Sequence, residues 1–179
     1  MKKCKQVYKV NTTFSPFNFK LFKPVGVSKR YSLVVPTDTL DPEALKRFFE
    51  EIIPFNQFLG FKLESYDETK LEVVSRLEMK PEYIGNPVKR AAHGGLLSVM
   101  IDATAGTAAA LSLRDISQVE TLATVDMRVD YLQPALGQAL FAKATVMRSG
   151  KRIIAVRTDV YDENATLLAL GSNVFHVAR

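Results

Sequence analysis

The stretch that decides the fold is AAHGGLLSVMIDATAGTAAALS, Ala91–Ser112, which is almost entirely apolar or small. Asp102 is its only carboxylate. A segment that is apolar on all sides is typical of a helix buried inside a protein. An ionised Asp in such a segment is costly unless it is paired, hydrogen-bonded or protonated. We therefore expect a buried helix whose single carboxylate has either a local partner or a chemical task.

Residues 94–113 carry no charge other than Asp102, a composition that is also typical of a membrane-spanning helix. An Asp at the centre of a membrane helix costs about 2.5–3.5 kcal/mol on insertion scales. The segment is also rich in Gly, Ala, Ser and Thr instead of Leu and Ile. These features favour a helix inside a soluble protein, and we expect no transmembrane segment.

Before the long helix, the sequence predicts one shorter helix and two strands. Asp41 is the expected N-cap, Pro42 the first helical residue, and Pro54 the stop after Ile53. After the long helix, apolar and polar residues alternate along residues 121–131, which predicts a half-buried strand. Further strands are expected at residues 59–66, 70–77, 139–148, 152–161 and 167–177. The last four strands are joined by short turns, which predicts an antiparallel meander.

This order of elements indicates an α+β fold in a single domain. An apolar helix beside a large antiparallel sheet must be covered, and wrapping a curved sheet around a long central helix achieves this. We expect this domain to span residues 41–179, preceded by a basic N-terminal extension over residues 1–40.

Charge is distributed unevenly between these two parts. Residues 1–37 contain eight Lys or Arg and no acidic residue, although the whole chain has a net charge of only +5. We interpret this arm as a solvated or loosely docked extension and expect no nucleic-acid partner. The single cysteine, Cys4, allows no disulfide within the chain, which favours a reducing, cytoplasmic location. Two histidines without a Cys cluster predict no metal site.

The front of the long helix suggests a binding site. First-turn N–H groups of a helix are unpaired, and His93-Gly94-Gly95 leaves that end free of side-chain bulk. Such an end favours developing negative charge, as in an oxyanion site. The alternative is that these glycines serve only packing, and that Asp102 merely pairs with a local donor.

If Gly94 and Asp102 act in one reaction, they cannot do so within one chain. Eight residues of helix separate them by about 12 Å, too far to flank one small reacting centre. A second helix lying antiparallel would bring its Asp102 to this chain's Gly94. Helical geometry therefore predicts a homodimer with two composite sites.

The run HGGLLSVMID, followed by TVDMRVDYLQPA and RSGKR, resembles hotdog-fold acyl-CoA thioesterases of the phenylacetate-degradation (PaaI-like) type. The resemblance covers residues 49–175. It implies a hotdog fold, hydrolysis of acyl-CoA to free acid and CoA, and a homodimer that pairs further into a dimer of dimers. It implies no cofactor, since CoA is part of the substrate.

The resemblance also implies roles for individual residues. Asp102 matches the carboxylate that acts as general base toward water or as nucleophile, and Gly94 matches the backbone donor to the thioester carbonyl. His93 would shape that end of the helix, and Asn86 would assist carbonyl binding. Thr124 matches a Ser or Thr that orients the attacking water.

Two further groups of residues are candidates for contacts with the substrate. Basic side chains flank the Ser149-Gly150 turn or precede His93, and could meet the CoA phosphates, although such exposed tips are often simply solvated. These are Lys89, Arg90, Arg148, Lys151 and Arg152. The acyl tunnel is expected to be lined by Gly95, Leu97, Met100, Ile101, Phe58 and Phe61.

Other functions remain open at this point. A hotdog dehydratase or hydratase would use a catalytic His with an acid in differently arranged motifs. A non-catalytic acyl-CoA-binding or regulatory protein would not need Asp102 in a buried helix. A purely structural oligomer leaves both Asp102 and Thr124 unexplained. A thioesterase is therefore the favoured interpretation, and the acyl-CoA binder is the alternative.

Overall fold

A computed structural model of the chain describes residues 42–113 and 116–178. The predicted basic extension over residues 1–40 and the predicted N-cap Asp41 lie outside the described residues. Helix α1 spans Pro42–Arg47 and continues as π-helix over Phe48–Ile52. Helix α2 spans Pro54–Leu59 and ends at Gly60, whose φ of 75° forms a left-handed cap.

Pro54 begins a helix, which corrects the expectation that it only ends one. Ile53 is extended, with ψ of 108°, so the chain turns there, and Pro54 then occupies the first position of α2. Proline suits that position because its fixed φ is helical and its missing N–H is not needed. The first predicted strand accordingly starts later, after α2 and Gly60.

The central sheet has six antiparallel strands in the order β1-β2-β6-β7-β8-β5. A separate short hairpin, β3–β4, precedes the long helix α3, which spans Gly94–Leu111. A 3-10 turn, Pro81–Tyr83, precedes β3, and another, Ile116–Thr121, precedes β5. The strands are β1 Lys62–Asp67, β2 Glu72–Glu78, β3 Ile84–Asn86, β4 Ala91–Ala92, β5 Leu122–Tyr131, β6 Ala139–Ser149, β7 Ile153–Asp162 and β8 Leu167–Val177.

Helix α3 packs across β2, β5, β6, β7 and β8. By length and composition it could cross a membrane, but it is mostly buried against the sheet, as the core helix of a soluble protein is. Its apolar side chains form the centre of two core clusters, one around Met100 and Ile101 and one around Ala105 and Ala108. The predicted α+β class, with a long helix packed on an antiparallel sheet, is confirmed.

The predicted four-strand meander is corrected at β5. Strands β6, β7 and β8 are consecutive neighbours, but β5 pairs with β8 and lies at the edge of the sheet. Strand β6 instead pairs with β2. Strand β5 is also exposed on both faces over most of its length, so its alternating sequence does not mark a half-buried strand.

Candidate active site

Asp102 lies in the middle of α3 with one carboxylate oxygen held by two donors. Thr124 Oγ1 on β5 donates to Asp102 Oδ1 over 2.9 Å, and Asn173 Nδ2 on β8 donates to the same oxygen over 3.3 Å. Asp102 Oδ2 makes no hydrogen bond to another described residue. Asp102 is half-buried, and the two donors fix the orientation of its carboxylate.

Asp102 lines a groove of about 460 Å³ along α3. Besides Asp102 and Thr124, small residues of α3 form one wall, namely Ala103, Gly106, Thr107 and Ala110. Apolar side chains of other elements form the rest, including Phe48, Ile53, Phe55, Met127 and Phe175. A largely apolar groove with a polar group at one place is typical of a small-molecule site.

A second feature lies at the start of α3. His93 is the N-cap, and its Nδ1 accepts a hydrogen bond from Gly95 N over 2.9 Å. Because Nδ1 accepts, the neutral ring carries its proton on Nε2. The His93 carbonyl accepts from Leu96 N over 2.9 Å. The Gly94 N–H makes no hydrogen bond to another described residue, so it is the first-turn donor that remains available.

Tyr131 closes one side of this helix end. Its hydroxyl donates to the Gly94 carbonyl over 3.2 Å and also bonds Ser98 Oγ. A Cβ added to Gly94 would lie 3.3 Å from the Tyr131 ring. The space beside Gly94 is a second cavity of about 380 Å³, lined by residues of α3 and by residues 131–135.

Gly94 and Asp102 therefore belong to two different cavities of the same chain. The helical rise between them is about 12 Å, as the sequence indicated. Within one chain the available N–H and the oriented carboxylate do not face a common point. Both cavities border β5, which carries Thr124 beside one and Tyr131 beside the other.

Asn86 lies in β3, opposite Ala91 of β4, in the hairpin that leads to His93. Its Oδ1 accepts from Val88 N over 3.1 Å and from Lys89 N over 3.0 Å, which forms an Asx turn. The carbonyl end of this side chain is thus occupied by its own turn, and only Nδ2 is available to a ligand.

The five basic side chains predicted to meet phosphate groups are all exposed. Lys89 and Arg90 lie in the β3–β4 hairpin before the start of α3. The other three, Arg148, Lys151 and Arg152, lie at or beside the β6–β7 turn. This turn is next to the opposite end of α3, where Ser112 Oγ donates to Ser149 Oγ over 3.2 Å. The structure therefore keeps the two basic groups at opposite ends of the helix within one chain.

None of the six residues expected along the acyl tunnel lines the groove beside Asp102. Phe61, Met100 and Ile101 are at most 1% exposed and belong to the hydrophobic core. Leu97 is 2% exposed and borders only the cavity beside Gly94. Phe58 is 76% exposed and stacks on Phe55, which lines the groove, but Phe58 itself does not line it. The groove therefore runs along the small-residue face of α3, because the large residues face the sheet.

Sequence analysis missed Asn173, which contacts Asp102 directly. It occupies an inward position of β8, where the other inward residues are apolar or Gly. A polar residue at such a position is the informative exception in a core strand. Ser98 and Tyr131 were also not singled out. Across the described residues, no three His, Cys, Asp or Glu side chains lie together as a metal site would need.

A long α-helix packed on a six-stranded antiparallel sheet is the hotdog fold that the sequence resemblance implied. A family model described as the thioesterase superfamily matches residues 91–169. A protein from Shewanella oneidensis related to that superfamily is 32% identical, with a TM-score of 0.68, over 76% of this chain and 94% of that one. The chain belongs to the thioesterase superfamily.

Two other relatives are informative. The medium/long-chain acyl-CoA thioesterase YigI of Escherichia coli is 28% identical over 148 residues, which is 75% of this chain and 94% of that protein. A variant of the phenylacetic acid degradation protein PaaI from Thermus thermophilus is 22% identical, with a TM-score of 0.58, over 69% of this chain and 97% of that one. The latter supports the fold.

Proposed function

We propose that this protein hydrolyses acyl-CoA thioesters to free acid and CoA at sites shared between two chains of a homodimer. The observation that carries the proposal is the fixed Asp102 carboxylate in the lining of an apolar groove, with Oδ1 held by Thr124 and Asn173 and Oδ2 bonded to no other described residue. The similarity to a medium/long-chain acyl-CoA thioesterase supports the substrate class.

The reaction needs one base and one donor. Asp102 Oδ2 takes a proton from water as the water oxygen attacks the thioester carbonyl carbon. The Gly94 N–H of the other chain stabilises the negative oxygen of the tetrahedral intermediate. The intermediate then expels the CoA thiolate, which receives the proton from Asp102. Attack by Asp102 itself, followed by hydrolysis of the mixed anhydride, is the alternative route for the same carboxylate.

The edge strand β5 supports the dimer. Its outer edge has no pairing strand among the described residues, and Val125 and Tyr131 are 58% and 54% exposed. An exposed strand edge with apolar side chains is a template for pairing with another chain. A symmetric pairing of two β5 strands would lay the two α3 helices side by side and antiparallel.

An antiparallel pair of α3 helices also accounts for the two basic groups. With Gly94 of one chain beside Asp102 at the middle of the other helix, the residues that precede one helix extend toward the end of the other. The Lys89–Arg90 pair of one chain and the Arg148, Lys151 and Arg152 group of its partner would approach the same side of the groove. Five cations there suit the diphosphate and 3′-phosphate of CoA.

The first test is release of free CoA from short, medium, long and aryl acyl-CoAs by wild type and by Asp102→Asn. Loss of the base is expected to lower kcat by about 100- to 10,000-fold while the oligomer persists in light scattering. If the wild type turns over no acyl-CoA but binds it saturably, the protein is an acyl-CoA binder and the proposed hydrolysis is wrong.

The shared site has a sharper test. Gly94→Pro removes the N–H at a position that suits Pro, because His93, with ψ of 131°, already has the extended backbone that precedes proline. Gly94→Ala is the control for the added side chain, whose Cβ would lie 3.3 Å from the Tyr131 ring. Asp102→Asn and Gly94→Pro should each be inactive alone. Refolded together, they should recover about a quarter of wild-type activity, since half of random dimers are mixed and each mixed dimer has one intact site. No recovery would place both groups within one chain.

A further inference from the structure

The side chain of Asn173 lies beneath Asp102 on the core face of β8. It is 1% exposed, and its Nδ2 donates to Asp102 Oδ1 over 3.3 Å. A carboxylate can only accept hydrogen bonds, so the amide nitrogen of Asn173 must be the end that faces Asp102. The orientation of the amide is therefore determined by the carboxylate.

This orientation leaves the other end of the amide without a partner. Asn173 Oδ1 is buried and accepts no hydrogen bond from the described residues. A buried carbonyl oxygen without a donor destabilises the folded state. The neighbouring inward residues of β8, such as Gly171 and Phe175, carry no polar side chain. An apolar residue would suit this position better if folding were the only requirement.

Asn173 and Thr124 together restrain one oxygen of Asp102 from two adjacent strands. Thr124 pairs with Phe175 in the β5–β8 ladder, so the two donors approach from neighbouring positions. Thr124 is on the exposed edge strand, whereas Asn173 is fixed by the core. With both donors on Oδ1, Oδ2 is the oxygen left for a ligand in the groove that Asp102 lines.

We propose that Asn173 is a positioning residue for Asp102, which holds Oδ1 so that Oδ2 is presented to the water or thioester in the groove. The inference rests on the proposed function of Asp102. The inference goes beyond that function by assigning a role to a core residue that touches no substrate. It also explains why a polar side chain with one unsatisfied end stands on an apolar strand face.

The first variant is Asn173→Leu, which keeps the number and branching of the side-chain heavy atoms and removes the donor. We expect kcat to fall about tenfold, the lower end of what one hydrogen bond to a charged group is worth, with KM and folding stability maintained. The carbon-13 chemical shift of the Asp102 carboxyl, measured at a single pH, should change in this variant because a hydrogen bond to one of its oxygens is lost.

The second variant, Asn173→Asp, is nearly isosteric and tests the role through pH. While the introduced carboxyl is protonated, its O–H can donate to Asp102 and replace the amide. Once it ionises, it repels Asp102 and donates nothing. We expect near wild-type kcat on the acid side and a steep loss at higher pH, a bell-shaped profile that a purely structural role would not produce.

The matched control is Thr104→Val. Thr104 lies two residues after Asp102, is fully buried, and bonds Ser75 Oγ and the Met100 carbonyl away from the groove. It should lose stability but keep the wild-type pH profile. The inference is wrong if both Asn173 variants keep the wild-type kcat, pH profile and Asp102 carboxyl chemical shift. If that chemical shift changes but wild type hydrolyses no acyl-CoA, the contact stands and the proposed function fails.

Discussion

Gly171 of β8 and Ile101 of α3 are in such close contact that a Cβ added to Gly171 would stand 2.3 Å from Ile101 Cγ2. Ile101 directly precedes Asp102, and Gly171 lies two residues before Asn173. The absence of a side chain at Gly171 thus lets the helix approach the strand where Asp102 meets Asn173. Helix–sheet packing and the geometry of the candidate site are coupled at this point.

Gly171→Ala should therefore destabilise the fold and impair the site together. Overpacking of this kind typically costs about 1–3 kcal/mol, because the helix must move away from β8. Thermal and urea unfolding measure the first effect, and kcat measures the second. In combination with Ile101→Ala, the loss should be smaller than the sum of the two single losses. Additive losses would show that the two residues are not in contact.

Thr158→Val should stabilise the protein without changing activity. Thr158 lies on β7, is fully buried, and its hydroxyl has no hydrogen-bond partner among the described residues. Val has nearly the same shape, so the variant removes only an unsatisfied polar group, which is worth about 1 kcal/mol. Urea unfolding gives the stability and CoA release gives the activity. A destabilised variant would reveal a partner for this hydroxyl.

Gly106 is expected to set the length of acyl chain that the groove accepts. The groove runs along α3 from Asp102 to Ala110, about 12 Å of helix. With carbon–carbon bonds of about 1.5 Å, this suits an extended chain of about eight to ten methylenes. Gly106→Leu should lower kcat/KM for long acyl-CoAs by about tenfold or more while short ones are retained.

Gly106→Ala provides the control for this prediction. Its Cβ would lie 3.6 Å from the Phe175 ring, an ordinary contact, so the groove should stay open. Replacing Gly in a helix by Ala should also stabilise the fold by about 0.5–1 kcal/mol. If Gly106→Leu leaves the chain-length profile unchanged, the acyl chain follows another path.

Asp162, at the β7–β8 turn, should make the free energy of unfolding depend on pH. Its Oδ1 accepts from Thr166 N over 2.8 Å and from Asn164 N over 2.9 Å. The backbone hydrogen bond from Thr166 is the largest influence and holds the pKa of this carboxyl below its ordinary value. Since the pKa of Asp162 is lower in the folded state, its ionised carboxylate stabilises the fold. This stabilisation is complete above about pH 4 and is lost as the pH falls through the pKa of the folded state.

Asp162→Asn isolates this effect because it keeps a side-chain acceptor and removes the charge. Wild type should be more stable than the variant at neutral pH, and the difference should narrow progressively in acid. Urea unfolding at a series of pH values measures it. A difference that is constant from pH 7 to strongly acid solution would show that the charge of Asp162 makes no such contribution.

The amino-acid sequence alone determined the fold class and the two candidate functional groups, the start of α3 at Gly94 and the Asp102 carboxylate. The apolar stretch around Asp102 predicts α3 because a buried helix is the element that removes so long an apolar stretch from water. Short turns predict the meander of β6, β7 and β8. The glycines after His93 and the lone carboxylate were recognisable because both break the composition around them. These are local signals, carried by neighbouring residues.

The tertiary structure decided what local signals do not contain. Helix α3 is apolar on all sides, so its periodicity does not reveal which face meets the sheet, and the groove lies on the face opposite to Met100 and Ile101. The pairing of β5 with β8 depends on competition among distant strands for the same edge. The contact of Asn173 with Asp102 joins residues 71 positions apart, and only the packed helix and sheet bring them together.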